Sequence, residues 1–117
     1  MSVFERIGGN EAVNAAVDIF YRKVLSDDSI SHFFDDVDME GQINKQKAFL
    51  TMAFGGPNHY TGKDLREAHK HMHLTEAHFA AVAGHLQATL EELGAAADDI
   101  NEIMAIAGST HDDILNI

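Results

Sequence analysis

Hydrophobic residues recur at helical spacing along almost the whole chain. Apolar side chains three and four residues apart form one face of an α-helix, whereas strict alternation of apolar and polar residues indicates a strand. No stretch alternates convincingly, so the pattern predicts an all-α fold. With 117 residues, the chain is long enough to bury one core, and we expect a single domain over residues 1–117.

Start and stop signals divide the first part of this pattern into helices. Ser2 and Glu5 form a capping box for a short first helix, which Gly8-Gly9 ends. Asn10 is the predicted N-cap of the second helix, which breaks at Asp27-Asp28-Ser29. The apolar stripe of this second helix consists of Val13, Ala16, Val17, Phe20 and Val24.

The same signals predict the helices that follow. Asp38 is the N-cap of a helix over residues 39–54, and Gly55-Gly56-Pro57 ends it because glycine is flexible and proline lacks a donor. Thr75 caps a long helix that ends at Gly94.

A short helix between these two carries the most informative residue, His69. Leu65, Ala68, His69 and Met72 stand at i, i+3, i+4 and i+7, which is one apolar face. A histidine in apolar surroundings needs partners for its ring nitrogens. Two interpretations are open at this point: a core histidine bonded to a backbone carbonyl, or a ligand of a buried metal, above all haem iron.

The charge distribution narrows the classes of partner. Eight Lys and Arg against 19 Asp and Glu give a formal charge of −11, which argues against nucleic acid and anionic membranes. No apolar run reaches the length of a membrane span and the first residues lack signal-peptide features, so we expect a cytoplasmic protein. The basic residues cluster in the middle of the chain. They form either a solvated helix face or a binding site for an anionic group such as the haem propionates. They include Lys45, Lys47, Lys63, Arg66 and Lys70.

The helix over residues 39–54 has polar and aromatic side chains on one stripe. Gln42, Lys45, Gln46 and Phe49 stand at i, i+3, i+4 and i+7, and they face either solvent or a polar pocket. Tyr21 poses a related question, because a buried tyrosine hydroxyl needs a hydrogen-bond partner. Gln42 or Gln46 could supply it.

This ordered set of residues resembles the group I truncated haemoglobins nearly from end to end. The matching segments include Phe4-Glu5-Arg6-Ile7-Gly8-Gly9, Phe20-Tyr21, His32-Phe33-Phe34, Gln42, Gln46-Lys47-Ala48-Phe49-Leu50, Ala53-Phe54-Gly55-Gly56-Pro57, Arg66-Glu67-Ala68-His69, His78-Phe79 and Ile114-Leu115-Asn116. The resemblance implies a two-over-two helical sandwich, with haem b between the central helix and the segment that bears His69.

The resemblance also assigns roles to individual residues. It makes His69 the ligand on the proximal side of the iron, and it makes Tyr21, Gln42 and Gln46 the residues around the gas on the distal side. Donors aimed at bound O2 favour it over CO because bound O2 takes on negative charge, and a hydrogen bond to a charged acceptor is worth about 1.5–3 kcal/mol. The further haem contacts that we expect are Phe34, Phe49, Tyr60, Lys63 and Arg66.

Lys45 departs from the family pattern. Several relatives carry a histidine here that occupies the sixth iron position when no gas is bound, and a few algal relatives use lysine. Lys45 is therefore either an internal sixth ligand, once deprotonated, or a surface lysine that pairs with a propionate.

His111 lies in a predicted last helix over residues 100–114, whose interior Gly108 weakens the expectation of continuity. Some cyanobacterial relatives bond a histidine of this helix to a haem vinyl group. The spacing from His111 to Leu115-Asn116 differs from theirs by one residue. A histidine without a haem bond is the alternative, and the spacing favours it.

The resemblance implies a protein that binds O2, NO and CO reversibly, and we expect a monomer because the chain is small and acidic and shows no obvious exposed apolar patch. The protein either stores O2 or acts as a nitric oxide dioxygenase, which needs an external reductase because the chain has no dinucleotide fingerprint. A different class of function is a haem-free, histidine-rich module. His69, His71 and His73 alternate, and His69 with His73 could chelate zinc, nickel or copper.

Overall fold

The computed structural model describes residues 2–56, 65–70 and 72–117, and the regular secondary structure among them is entirely helical, with no strand. The all-α prediction is therefore confirmed. The helices are α1 Val3–Ile7, α2 Gly9–Leu25, a 3-10 helix Ser31–Phe34, α3 Met39–Ala53, α4 Leu65–His69, α5 Glu76–Glu92, α6 Ala97–Gly108 and α7 His111–Leu115. Within these ranges, none of the helices has the length and apolar character that a bilayer crossing requires.

The predicted caps form at the starts of α1 and α5. The Ser2 hydroxyl accepts the Glu5 backbone N–H at 3.3 Å, and the Glu5 carboxylate accepts from Ser2 in return. The Thr75 hydroxyl likewise accepts the His78 N–H, while His78 Nδ1 accepts the Thr75 N–H at 3.1 Å. Reciprocal bonds of this kind satisfy the free donors of a helix start and fix its first residue.

Two predicted boundaries were wrong. Helix α2 begins at Gly9 rather than after Asn10, because Gly8 and Gly9 adopt φ of +122° and +69° and turn the chain directly into the helix. The predicted last helix is two helices. The Ser109 hydroxyl donates to the Ile106 carbonyl and the Thr110 hydroxyl to the Ala107 carbonyl, both at 2.6 Å. These bonds end α6 before α7 begins.

The core is built around α2, and its predicted apolar stripe is buried as expected. Helix α2 packs against α3 on one side and α5 on the other, and α5 packs against α6. Leu90 and Ile103 contribute fully buried side chains from α5 and α6. The helices thus form two pairs, α2 with α3 and α5 with α6, joined through α2 and α5.

Helix α1 holds the end of α3 in place. The Phe4 backbone N–H donates to the Phe54 carbonyl at 2.9 Å. The backbone of Gly56 lies so close to the Phe4 ring that a Cβ atom there would stand 2.9 Å from it. The two glycines therefore end α3 and also allow the backbone there to lie close to the Phe4 ring.

Candidate functional site

A buried hydrogen-bonded pair joins α2 to α3. Tyr21 is only 4 % exposed, and its hydroxyl oxygen accepts a hydrogen bond from Gln42 Nε2 at 3.1 Å. The rings of Phe20 and Phe34 stand edge-on to the Tyr21 ring, with centroids 5.2 and 5.7 Å away. Gln42 is therefore the partner that the buried tyrosine requires, and Phe34 lies beside the same pair.

The Tyr21 hydroxyl is a neutral donor. Burial raises its pKa above the ordinary value of 10.0, although the hydrogen bond from Gln42 opposes this shift. Because the oxygen accepts from Gln42, the hydroxyl proton is available to another acceptor. The pair can thus present one fixed proton to a ligand beside α3.

The remaining polar residues on the α3 stripe differ in their environment. Gln46 and Phe49 are half-buried, and Gln46 makes no hydrogen bond to any described residue. Lys45 is exposed and has no ion pair within the described ranges. On this stripe Gln42 is half-buried and bonded to Tyr21, whereas the Lys45 side chain is exposed.

Much of the surface of α3, α4 and α5 is only partly covered by the residues that the structure describes. In the described part of the chain, α3 packs extensively only against α2, and α4 only against α7. No residue is buried in 39–49, in 66–69 or in 76–88. Apolar side chains of α3 and α5 nevertheless occur there, and they include Met39, Ile43, Phe49, Phe79, Val82 and Leu86. This surface suits a large apolar ligand between the helices.

His69 is the last residue of α4 and is half-buried. The predicted helical face was wrong at its far end, because α4 stops at His69 and Met72 lies beyond it. One turn earlier on α4, the Arg66 side chain contacts α7. Its Nε donates to Asp113 Oδ1 and its Nη2 to the Ile117 carbonyl, both at 3.1 Å.

His111 lies at the start of α7 between two carboxylates. Its Nε2 pairs with Glu76 Oε2 at 2.8 Å and its Nδ1 with Asp112 Oδ1 at 2.9 Å. The Glu76 and then the Asp112 carboxylates raise the pKa of His111 above 6.5. Its ring also stands edge-on to Phe79, 5.1 Å between centroids. Both ring nitrogens of this histidine are therefore engaged.

The structure brings only some of the predicted residues together. Tyr21, Gln42 and Phe34 form one cluster, whereas Arg66 contacts α7, the helix that begins with His111. The predicted contacts Tyr60 and Lys63 lie outside the described residues, as does His71 of the haem-free alternative. Sequence reasoning missed the acidic partners Glu76 and Asp113, which carry no local signal because they are distant along the chain.

A family model described as Bacterial-like globin matches residues 2–116. A group 1 truncated haemoglobin of Tetrahymena thermophila is 48 % identical over 114 residues, which are 97 % of this chain and 94 % of that protein. The chain belongs to the group 1 truncated haemoglobins. This family is a haem globin family, so the recognition made from the sequence is confirmed.

Solved structures of truncated haemoglobins share this fold. The Fe(III) form of the Tetrahymena pyriformis protein superposes with a TM-score of 0.95 at 47 % identity, over 98 % of both chains. A Synechococcus 2/2 haemoglobin, solved in the cyanomet state with covalently attached haem, gives a TM-score of 0.93 at 41 % identity over both full chains. The predicted two-over-two fold of a truncated haemoglobin is thereby confirmed.

The residues of this truncated haemoglobin fit a haem group. The half-buried imidazole of His69 is a suitable iron ligand, and the accessible apolar side chains of α3 and α5 suit a porphyrin. Tyr21 and Gln42 add a polar, hydrogen-bonded corner to an otherwise apolar space.

Proposed function

We propose that the chain binds haem b through His69 and uses it to bind O2, NO and CO reversibly. When bound, the haem iron supplies a coordination position at which a diatomic gas binds. The observation that carries the proposal is the Tyr21–Gln42 pair, in which a buried tyrosine offers a neutral hydroxyl donor among aromatic rings. Such a donor discriminates between gases by the negative charge that each develops on binding.

The role of Tyr21 can be tested by the release rate of O2. Replacing Tyr21→Phe removes the donor and keeps the ring, so we expect the O2 off-rate to rise about 10- to 100-fold. The CO off-rate serves as the internal control, because CO develops less negative charge and depends less on the donor. Equal O2 release from the variant and the parent protein in stopped-flow mixing would remove Tyr21 from the proposal.

The haem itself is tested by absorption spectra of the reconstituted protein, ferric and ferrous, across pH 6 to 10. A ferrous spectrum that CO converts to the carbonyl form supports haem at His69, and its loss in His69→Gly supports the assigned ligand. A protein that refuses haemin but binds nickel or zinc would favour the histidine-rich alternative with His73.

We also propose that the gas site supports nitric oxide dioxygenation. NO, O2 and one electron give nitrate, and the electron comes from an external reductase, since the chain shows no dinucleotide fingerprint. Steady nitrate formation from NO with a cellular reductant supports turnover, and nitrate formation that stops after one equivalent supports O2 storage. We expect a cytoplasmic monomer, which sedimentation of the haem-loaded protein can test.

We propose two alternative roles for Lys45. Its exposed side chain, free of described ion pairs, can either turn inward as a sixth iron ligand or pair with a propionate. Spectra of Lys45→Ala across pH separate them, since only the ligand role predicts a change of iron spin state.

We propose that haem is held without a covalent bond to His111. Both nitrogens of this imidazole pair with carboxylates, and the raised pKa favours the protonated form, which is not a nucleophile. The Synechococcus relative contains covalently attached haem. Acid–acetone extraction tests the difference: we expect the haem to leave the protein, and haem that stays would overturn the proposal.

A further inference from the structure

Arg66 joins the helix that bears His69 to α7. Its guanidinium Nε donates to Asp113 Oδ1 and its Nη2 to the Ile117 carbonyl, with a longer contact of 3.5 Å to the Asp112 carbonyl. A planar guanidinium with several donors in fixed directions holds such a set of acceptors at a defined angle. The contact therefore fixes orientation as well as distance.

Helix α4 depends on such contacts for its position. It has five residues, too few for a helix to be stable by itself. Among the described elements, α7 is the one against which α4 packs extensively. Arg66 and His69 are three residues apart on α4, so their side chains leave neighbouring positions on its surface. A rotation of α4 that broke the Arg66 contact would also turn His69.

Helix α7 is itself held by the rest of the molecule. His111 Nε2 pairs with Glu76 at the start of α5, and the His111 ring contacts Phe79. The connection thus runs from α5 to α7 and from α7 through Arg66 to α4. It connects the short α4 to the main helices of the molecule.

We propose that Arg66 is a positioning residue, which sets the direction of the His69 imidazole by tying α4 to α7. The inference rests on the proposed binding of haem by His69. It differs from the role expected from the sequence, in which Arg66 pairs with a haem propionate. Here the guanidinium Nε donates to Asp113 of α7, and Nη2 donates to the Ile117 backbone, two residues after the end of that helix.

The test compares Arg66→Ala, Arg66→Lys and Asp113→Asn in the haem-loaded protein. One readout is the rate of haemin loss to excess apomyoglobin. The other is the iron–histidine stretching band of the five-coordinate species formed by photolysis of the ferrous carbonyl complex. Asp99→Asn is the matched control, because Arg6 Nε and Asp99 Oδ1 form the same kind of pair, at 2.8 Å between α1 and α6.

We expect Asp113→Asn to speed haemin loss about two- to fivefold, as for loss of one exposed ion pair, and Arg66→Ala about tenfold. Arg66→Lys keeps the charge but cannot span the same acceptors, so it should fall between the parent protein and Arg66→Ala. All three variants should shift or broaden the iron–histidine band. Asp99→Asn should leave both readouts at the parent values.

Two results would overturn the inference. In the first, Arg66→Ala speeds haemin loss, Asp113→Asn and Arg66→Lys behave like the parent protein, and the iron–histidine band is unchanged in all three. That result would mean that Arg66 pairs with a haem propionate. In the other, no variant differs from the parent. If the parent protein itself fails to take up haem, the proposed function fails and this inference with it. Failure of the proposed function can be told apart from failure of this inference, because it is seen in the parent protein without any substitution.

Discussion

The hydrogen bond from Gln42 to Tyr21 determines how the tyrosine can act. An isolated buried hydroxyl can rotate and point its proton in several directions, whereas a hydroxyl that accepts a bond has fewer directions left for its proton. Gln42 therefore orders a donor that Tyr21 alone would leave free to rotate. Sequence reasoning named two glutamines as partners, and only the fold could select between them.

The prediction at this site concerns Gln42→Leu. The change leaves the Tyr21 hydroxyl without its partner, and we expect the free energy of unfolding to fall by about 1–3 kcal/mol. The O2 off-rate should rise, though less than in Tyr21→Phe, because the donor remains. The double variant should release O2 at the rate of Tyr21→Phe alone. Stopped-flow kinetics and urea unfolding measure both effects, and strictly additive off-rates would contradict the pairing.

His111 gives a second prediction at the residue scale. Because Glu76 and Asp112 raise its pKa, we expect its imidazole to titrate above 6.5 in the folded protein. Its contribution to stability is fully present below 6.5 and is lost as the pH rises through the folded-state pKa. NMR of the His111 ring in the ferrous carbonyl form measures the midpoint. Glu76→Gln should lower it more than Asp112→Asn, and an unmoved midpoint would contradict the contact.

At the scale of elements, some helix ends can be predicted from the local sequence and others cannot. The capping boxes at Ser2 and Thr75 involve residues within one turn, so they were predictable. The break between α6 and α7 depends on two hydroxyls that bond to the preceding turn, and such serines and threonines also occur within continuous helices. In the sequence, only Gly108 indicated a break between these two helices.

A prediction at this scale compares two glycines. A Cβ at Gly56 would stand 2.9 Å from the Phe4 ring, so Gly56→Ala should force α1 away from the end of α3. We expect it to lower the free energy of unfolding by about 1–3 kcal/mol. Gly84 is the control: it lies inside α5 with no atom within 4 Å of its Cβ position, and Gly84→Ala should stabilise by about 0.5–1 kcal/mol. Equal effects in urea unfolding would contradict the close approach.

At the scale of the whole molecule, contacts between helices join residues far apart in sequence. Arg66 meets Asp113 47 residues later, and His85 pairs with Asp27 58 residues earlier at 2.7 Å. Helical periodicity predicted which residues would be buried on α2 because one face repeats locally. It could not predict these pairs, since nothing near Arg66 or Asp27 specifies the helix that arrives there. The arrangement of the helices relative to one another was predicted from the family resemblance and not from the periodicity.

From the distribution of burial we expect two parts of the molecule to differ in stability. Helix α2, the contacts of α2 with α5 and those of α5 with α6 form a filled core. By contrast, no described residue is buried in 66–69 or 76–88. A ligand that binds the folded chain adds stability where its contacts are made, and segments with few buried contacts open most easily. The second part should therefore depend on haem far more than the first.

Hydrogen exchange with and without haem tests this division. In the haem-free protein, we expect the amides of α4 and of the first turns of α5 to exchange rapidly, while those of α2 around Val17 stay protected. Haem should slow exchange by the largest factor in α4 and in the first turns of α5, because its contacts replace missing core. The Ile103 region of α6, which is buried without haem, is the internal control. Equal slowing across all helices would mean that haem stabilises one cooperative unit, and the two-part division would be wrong.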